Sequence, residues 1–287
     1  MNTSADIIPV DWPKWSKTKP KLLKPLLGGL TNKSYLISAD NTDMVLRKNS
    51  AISAALNLDR VTEARVLVLA DDAGLCAPLI HYDGDYQYVV SRYVEGKHWR
   101  ADEQGIRSLA TLLQRIHRLP AIDKYLTIAD KAERYWQAIA KNAPHLAELK
   151  KLANKMMPLI ESTKRLGSGA CLCHNDLLRE NLISTEEGRL YAIDWEYAAM
   201  GDPFYELAVI VEGQALNQSQ QELLLSEYFT RSVSENDRQE LKNWRLIYCY
   251  LTVLWYAVQW SSGVMATPET SHHIARQIQD LNAKLGD

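Results

Sequence analysis

With 287 residues, 46% hydrophobic and 24% charged, the chain has the composition of an ordinary soluble globular protein, either one large domain or two lobes. Lys and Arg (33) nearly balance Asp and Glu (35), leaving a net charge of -2 with no long run of one sign, which argues against a nucleic-acid or membrane-surface partner. Four cysteines, at 76, 171, 173 and 249, are too few for a disulfide framework.

Cys171-x-Cys173 has no second pair to complete a zinc site, so buried free thiols in a reducing compartment are expected. No N-terminal apolar core is long enough for a signal peptide. The most apolar run, 246–258, falls short of the ~20 residues of a membrane helix. A cytoplasmic location is therefore expected.

In chain order, an irregular segment containing Pro and Trp reaches to about residue 25. The stretch Leu26 to Ile37 reads as strand, glycine turn, strand, and a second turn over 39–43 leads into the strand Met44-Val45-Leu46-Arg47. In Gly28-Gly29-Leu30-Thr31-Asn32-Lys33-Ser34 the small residues Gly29, Thr31, Asn32 and Ser34 allow backbone N–H groups to approach phosphate oxygens. A Gly-Gly pair is equally an ordinary turn. Arg47 ends an apolar strand, where a cation needs a partner, and Glu63 stands among Val61, Ala64, Leu67 and Val68 in a helical pattern over 57–73. Lys48 competes with Arg47 for that role, because both strand faces are apolar and alternation does not choose between them.

A strand over 86–94 ends at Glu95-Gly96, and a division there separates 1–95 from 96–287. Helical patterns follow over 103–117 and, broken near Pro144, within 132–153. Asp202-Pro203 supplies a cap and a first-turn proline for another helix, with further helices over 218–230 and 237–261. The last carries Trp244, Tyr248 and Trp255 near one stripe, which reads either as core or as an aromatic wall for a cation.

The chemistry concentrates in CLCHNDLLRENLISTEEGRLYAIDWEYAAMGDPFYELA, residues 171–208. Asn181-Leu182-Ile183 and Leu190-Tyr191-Ala192-Ile193 form a hairpin around Glu187-Gly188. Antiparallel pairing about that turn sets Asn181 opposite Asp194, about 5 Å apart between alpha carbons. Asp176, five residues before Asn181, follows the short strand 170–173. Oxygen-only donors converging at a strand edge suit a hard cation such as Mg2+, which leaves positions for substrate phosphates. In this reading Asp176 orients or deprotonates an attacking hydroxyl, while Asn181 and Asp194 hold the metal. His174 organises the loop backbone. Trp195 and Tyr197 flank Glu196 directly after Asp194, which makes Trp195 a candidate substrate contact, and Glu196 either attracts a cationic substrate or joins the metal ligands.

HNDLxxxN followed by IDWEYA and GDPxxELA resembles the choline kinase and thiamine kinase branch of the aminoglycoside phosphotransferase superfamily, and the likeness runs from GGLTNKSY to the C-terminal aromatic helix. The resemblance implies an α+β, two-lobe protein-kinase-like fold: a small lobe with an antiparallel sheet and one helix, and a larger, mainly helical lobe. It implies ATP and Mg2+ between the lobes, with Arg47 as the phosphate cation paired with Glu63. Backbone near Ser91 and Tyr93 would face adenine. The acceptor it implies is a cationic alcohol, with the Trp of IDWEYA and the ELA ending closer to thiamine kinases than to choline kinases. Glu206 stands where many relatives have Asp, so no role is carried over to it. The competing readings are aminoglycoside phosphorylation and nucleotide binding without catalysis.

Overall fold

The structure, a computed structural model, describes residues 7–26, 32–50, 58–163 and 169–286. Gly29 and Thr31 of the glycine turn lie outside these residues. Five antiparallel strands, β1 (Lys21–Leu26), β2 (Lys33–Ala39), β3 (Thr42–Lys48), β4 (Leu79–Tyr82) and β5 (Tyr88–Arg92), form one sheet in the order β1-β2-β3-β5-β4. Asp40 and Asn41 both take left-handed backbone (φ 53° and 59°), as a tight two-residue hairpin between β2 and β3 requires.

The sheet departs from expectation at its edges. β1 begins at Lys21 and contains Pro25, because an edge strand with a register shift tolerates a residue that lacks an N–H. β4 was not expected: its four half-buried residues carry no alternation, and they pair with β5 only across the turn that Tyr86 makes at φ 58°. That turn also shortens β5 relative to the expected 86–94.

Helix α1 (Arg60–Asp72) starts where the Asp59 carboxylate accepts the N–H groups of Val61 and Thr62. Its buried face, Val66, Leu67 and Ala70, packs into the large C-terminal core, whereas the sheet has its own apolar cluster of Ile37, Ala39, Met44, Leu46, Tyr88 and Val90 with Ile7 and Ile8.

Beyond β5 the chain passes through Tyr93 to Gly96 into β6 (Lys97–His98). This strand pairs with β8 (Leu182–Ser184), which pairs with β9 (Leu190–Ala192). β7 (Cys171–Cys173) pairs separately with β10 (Ala199–Gly201). Around these short strands lie α2 (Glu103–Ile116), α3 (Ile128–Ala138), α4 (Leu146–Thr163), α5 (Pro203–Gly213), α6 (Gln218–Phe229), α7 (Glu235–Ser261) and α8 (Pro268–Gly286). The expected cap holds: the Asp202 carboxylate accepts the Phe204 N–H, with Pro203 in the first turn. Ser234 and Asp237 form a capping box that starts α7. α8 had no counterpart in the sequence reading. Among the described residues, no helix is long and apolar enough to cross a membrane.

Gly96 lies where the connection crosses the β8–β9 hairpin. A Cβ there would stand 2.5 Å from the Ser184 carbonyl oxygen and 2.9 Å from Ile183 Cγ2, and backbone cannot yield as a flexible side chain does. Gly96→Ala should therefore destabilise the fold by about 1–3 kcal/mol. Thermal unfolding checks this against Gly169→Ala, whose Cβ meets nothing within 4 Å.

Candidate active site

β7 delivers the chain into His174-Asn175-Asp176, and three bonds fix the loop that follows. His174 is fully buried; its Nε2 donates to the Ile193 carbonyl (3.0 Å) and its Nδ1 accepts the Asp176 N–H (3.3 Å). Burial pushes this imidazole below its ordinary pKa, which keeps it neutral and able to play both parts. Asn175 takes left-handed backbone (φ 65°), and its N–H donates to Glu206 Oε1 at 2.8 Å. A 3-10 turn over Arg179–Asn181 then places Asn181, whose Nδ2 donates to both the Asp176 carbonyl (2.8 Å) and the Asp176 carboxylate (2.9 Å).

The hairpin pairs Leu182 with Ala192, and the Ile193 N–H donates to the Asn181 carbonyl at 2.9 Å, so Asn181 faces Ile193. The register is one residue short of the expected Asn181–Asp194 pairing. Asp194 still reaches the same cavity, because its left-handed backbone (φ 63°) turns the chain out of the strand. Asp176, Asn181, Asp194 and Glu196 all line it.

A chain of buried charges joins these groups to the sheet and α1. Glu63, 1% exposed, accepts Arg47 at 2.5 Å and Arg60 at 2.8 Å. Arg47 also pairs with Asp194, and Arg60 reaches Glu196 at 2.8 Å. The Tyr82 hydroxyl of β4 donates to Glu63 at 3.1 Å. Arg47, not excluded in favour of Lys48 by alternation, is thus the strand residue that meets Glu63. Arg60 was missed, although its spacing of three residues from Glu63 puts both on one helix face. Burial first, and then the negative charge of Asp194, push the Glu196 carboxyl up to about 7.

Asn32, expected near phosphate, is tied into the same network: its Nδ2 donates to Glu196 at 2.7 Å, and its Oδ1 accepts from Ser50 N–H and Arg60. Ser34 lies across from Arg47 in the β2–β3 pairing. Ser91 sits within the sheet between Val45 and Leu79, and the Tyr93 N–H is taken by the Asp43 carbonyl at 2.9 Å. The Tyr93 donor is therefore engaged within the sheet, which leaves Val94 and Glu95 as the next backbone toward the linker.

The cavity encloses about 520 Å3, and its far wall is aromatic: Tyr197, Tyr205, Tyr248, Trp255 and Tyr256. Tyr248 and Trp255 thus stand where an aromatic wall was expected, and the Trp255 indole donates to the Tyr197 hydroxyl at 3.2 Å. Trp244 does not line the cavity; it is core, packed edge-on at 6.0 Å against Tyr205. Trp195 is fully buried behind the loop, with its indole bonded to the Ala192 carbonyl and its ring 4.6 Å from His174. The turn at Asp194 sends Trp195 and Glu196 to opposite sides. Glu206, assigned no role from sequence, holds the loop through Asn175 and meets His117 Nε2 at 2.6 Å.

Residues 22–244 match the model of the phosphotransferase enzyme family. The chain belongs to that family. A LicA homolog from Mycoplasma capricolum is 25% identical over 239 residues, covering 83% of this chain and 91% of the relative. Mouse ethanolamine kinase 2 is 29% identical over 217 residues, 68% and 56% of the two chains, and Escherichia coli thiamine kinase 29% over 158 residues, 53% of each. A crystal structure of LicA in complex with AMP superimposes with a TM-score of 0.83 at 23% identity, over 99% of this chain and 100% of that one. A structure of the choline kinase LicA from Streptococcus pneumoniae gives 0.79 at 24% identity, over 92% and 94%. The expected two-lobe kinase-like architecture, a small lobe built on an antiparallel sheet and a larger helical one, is the fold of this phosphotransferase.

Lys131 is the one cation lining the cavity among the described residues, 4.6 Å from the Tyr197 ring centroid and 5.7 Å from that of Tyr135. Burial lowers it to about 8, against the opposing pull of Asp176 and Glu196. The unfolded lysine holds its proton to about 10.4, so the unfolded chain binds more protons between these values and stability rises with pH across that window. Below it the cost is present in full. Lys131→Met should raise stability at pH 7 by on the order of 1–3 kcal/mol and flatten the rise above pH 8. Thermal melts across pH measure both; a lower melting point in the variant would show that the ammonium stabilises the fold.

Proposed function

We propose that the protein is an ATP-dependent small-molecule kinase that transfers the gamma-phosphate to the hydroxyl of a cationic alcohol of the choline and ethanolamine type. One observation carries this reading: Asp176, Asn181, Asp194 and Glu196 line one face of a cavity whose other face is tyrosine and tryptophan. The first face suits phosphate and metal, the second a quaternary or primary ammonium. We take residues 1–95 as the nucleotide lobe and 96–287 as the catalytic lobe, with ATP at their junction.

The residues present fit a divalent cation. Burial, then the charges of Asp194 and Glu196, hold the Asp176 carboxyl well above its ordinary range, and Glu196 is raised in part by Asp194. Such mutual repulsion among oxygen donors is what a hard cation relieves. Asp194 and Asn181 would hold Mg2+, which supplies charge neutralisation to the phosphates when bound. Arg47, fixed by Glu63, presents a guanidinium at the same edge. Asp176, held by Asn181 and by the His174 contact to its backbone, accepts the proton of the acceptor hydroxyl; its raised basicity favours that transfer. Tyr197, Tyr248 and Trp255 orient the ammonium end.

The relatives favour choline over thiamine as acceptor. The LicA homolog aligns with most of its length, and the structure named as a choline kinase matches over nearly the whole fold, whereas the thiamine kinase aligns over 53% of this chain. This reverses the preference drawn from the IDWEYA and ELA motifs. Aminoglycosides are polycations that call for a broadly acidic pocket; an aromatic wall with a resident Lys131 supports a smaller head group.

A coupled ADP-release assay across choline, ethanolamine, thiamine and kanamycin should show choline or ethanolamine turned over fastest. Preferential turnover of thiamine or kanamycin would overturn the assignment of acceptor. Asp176→Ala should lower kcat about 10²–10⁴-fold with nucleotide affinity retained, and parental turnover would remove Asp176 from the mechanism. Asp194→Ala should weaken nucleotide binding in calorimetry only when Mg2+ is present; equal weakening without Mg2+ would deny it the metal role.

A further inference from the structure

Outside the cavity, a second group of ligand-type side chains meets on the other side of the catalytic loop. His117 caps the C-terminus of α2, while Cys171 and Cys173 stand two apart in β7 and so point to the same face. The two Sγ atoms are 3.7 Å apart, and a ring nitrogen of His117 lies with them inside a 4.8 Å span. All four cysteines are free thiols. Zinc-sulfur bonds of about 2.3 Å in a tetrahedral site place two sulfurs ~3.8 Å apart, close to the separation already present. None of the three side chains lines the acceptor cavity.

The surroundings orient the histidine. Glu206 Oε2 stands 2.6 Å from His117 Nε2, and the Tyr228 hydroxyl is 2.8 Å from Nδ1, which fixes the ring. The hydrogen bond from Cys173, opposed by burial and helped by His117, holds the Cys171 thiol below its ordinary range. Cys171 is half-buried and gives an ion a way in. Cys173 and Glu206 are wholly buried.

We propose that His117, Cys171 and Cys173 form a three-ligand site for a thiophilic divalent cation such as Zn2+, and that filling it slows phosphoryl transfer. Two thiolates and an imidazole match a borderline-soft ion and are a poor match to Mg2+. Binding displaces the thiol protons and the proton shared by His117 and Glu206, so protons are released as the ion enters. Glu206 is the link to catalysis. Its Oε1 accepts the N–H of Asn175, the residue before Asp176, and loss of the His117 contact at Oε2 when an ion takes the imidazole shifts the carboxylate that anchors the loop.

The test begins with the intact chain and Cd2+ alone, which needs neither nucleotide nor acceptor and is therefore separable from failure of the kinase reading. The expected result is one equivalent bound with a sulfur-to-cadmium charge-transfer band. The band should vanish in Cys171→Ser and in His117→Gln, and persist in Cys249→Ser. With Mg-ATP and the best acceptor, saturating Zn2+ should lower turnover about tenfold in the parent and leave Cys171→Ser, whose basal turnover is unchanged, unaffected. Absence of the band, or a band that survives Cys171→Ser, overturns the site. Equal inhibition of parent and Cys171→Ser assigns inhibition to the Asp194 cluster and overturns the coupling. Should His117→Gln fail to fold, the Cys171→Ser arm decides alone.

Discussion

The structure depends on a buried carboxylate. Glu63 lies between Arg47 and Arg60, and each guanidinium holds a second acid, Asp194 or Glu196, from the far side of the molecule. Burial works against all of these charges, and the opposite charges alongside keep Arg47 and Arg60 cationic and Glu63 ionised. Removing one member strands the others, which costs far more than an exposed pair would. The sheet, α1 and the segment after β9 are thereby held to one register, and the acids that face the cavity are spaced by bonds that originate in the other lobe.

The catalytic loop is held from two directions. On the cavity side Asn181 clasps Asp176; behind it, His174 is wedged against Trp195 and bonded to Ile193, while Glu206 takes the Asn175 N–H. Two left-handed residues, Asn175 and Asp194, carry the backbone strain that aims these side chains inward. Gly213 belongs to the same support: a Cβ there would meet Leu178 Cδ2 at 2.5 Å, so the helix surface is cut away where the loop packs.

Much of this was legible in the residues. Asp176, Asn181 and Asp194 were placed together by spacing alone, and Asp202-Pro203 marked its helix start because capping is local chemistry. What escaped was set by distant contacts. A one-residue hairpin register depends on where the turn residue falls, and Gly188 at φ 78° moves the pairing by one. β4 is four residues long and exists only because β5 pairs with it. Trp195 and Trp244 looked available as ring faces, yet the strand turn and the helix phase bury both. Arg60 and His117 join their partners across 136 and 54 residues of sequence, a relation that no short motif displays.

The apolar side chains of α1 belong to the C-terminal core together with Val89 of β5 and Leu79 and Tyr82 of β4, whereas the other face of the sheet packs its own cluster around Leu46 and Val90. The sheet therefore serves two cores, one face joining α1 and the C-terminal helices and the other closing on Ile7 and Ile8. Because the neighbours Val89 and Val90 belong to different clusters, a one-residue slip of β5 would exchange its two faces and open both cores at once.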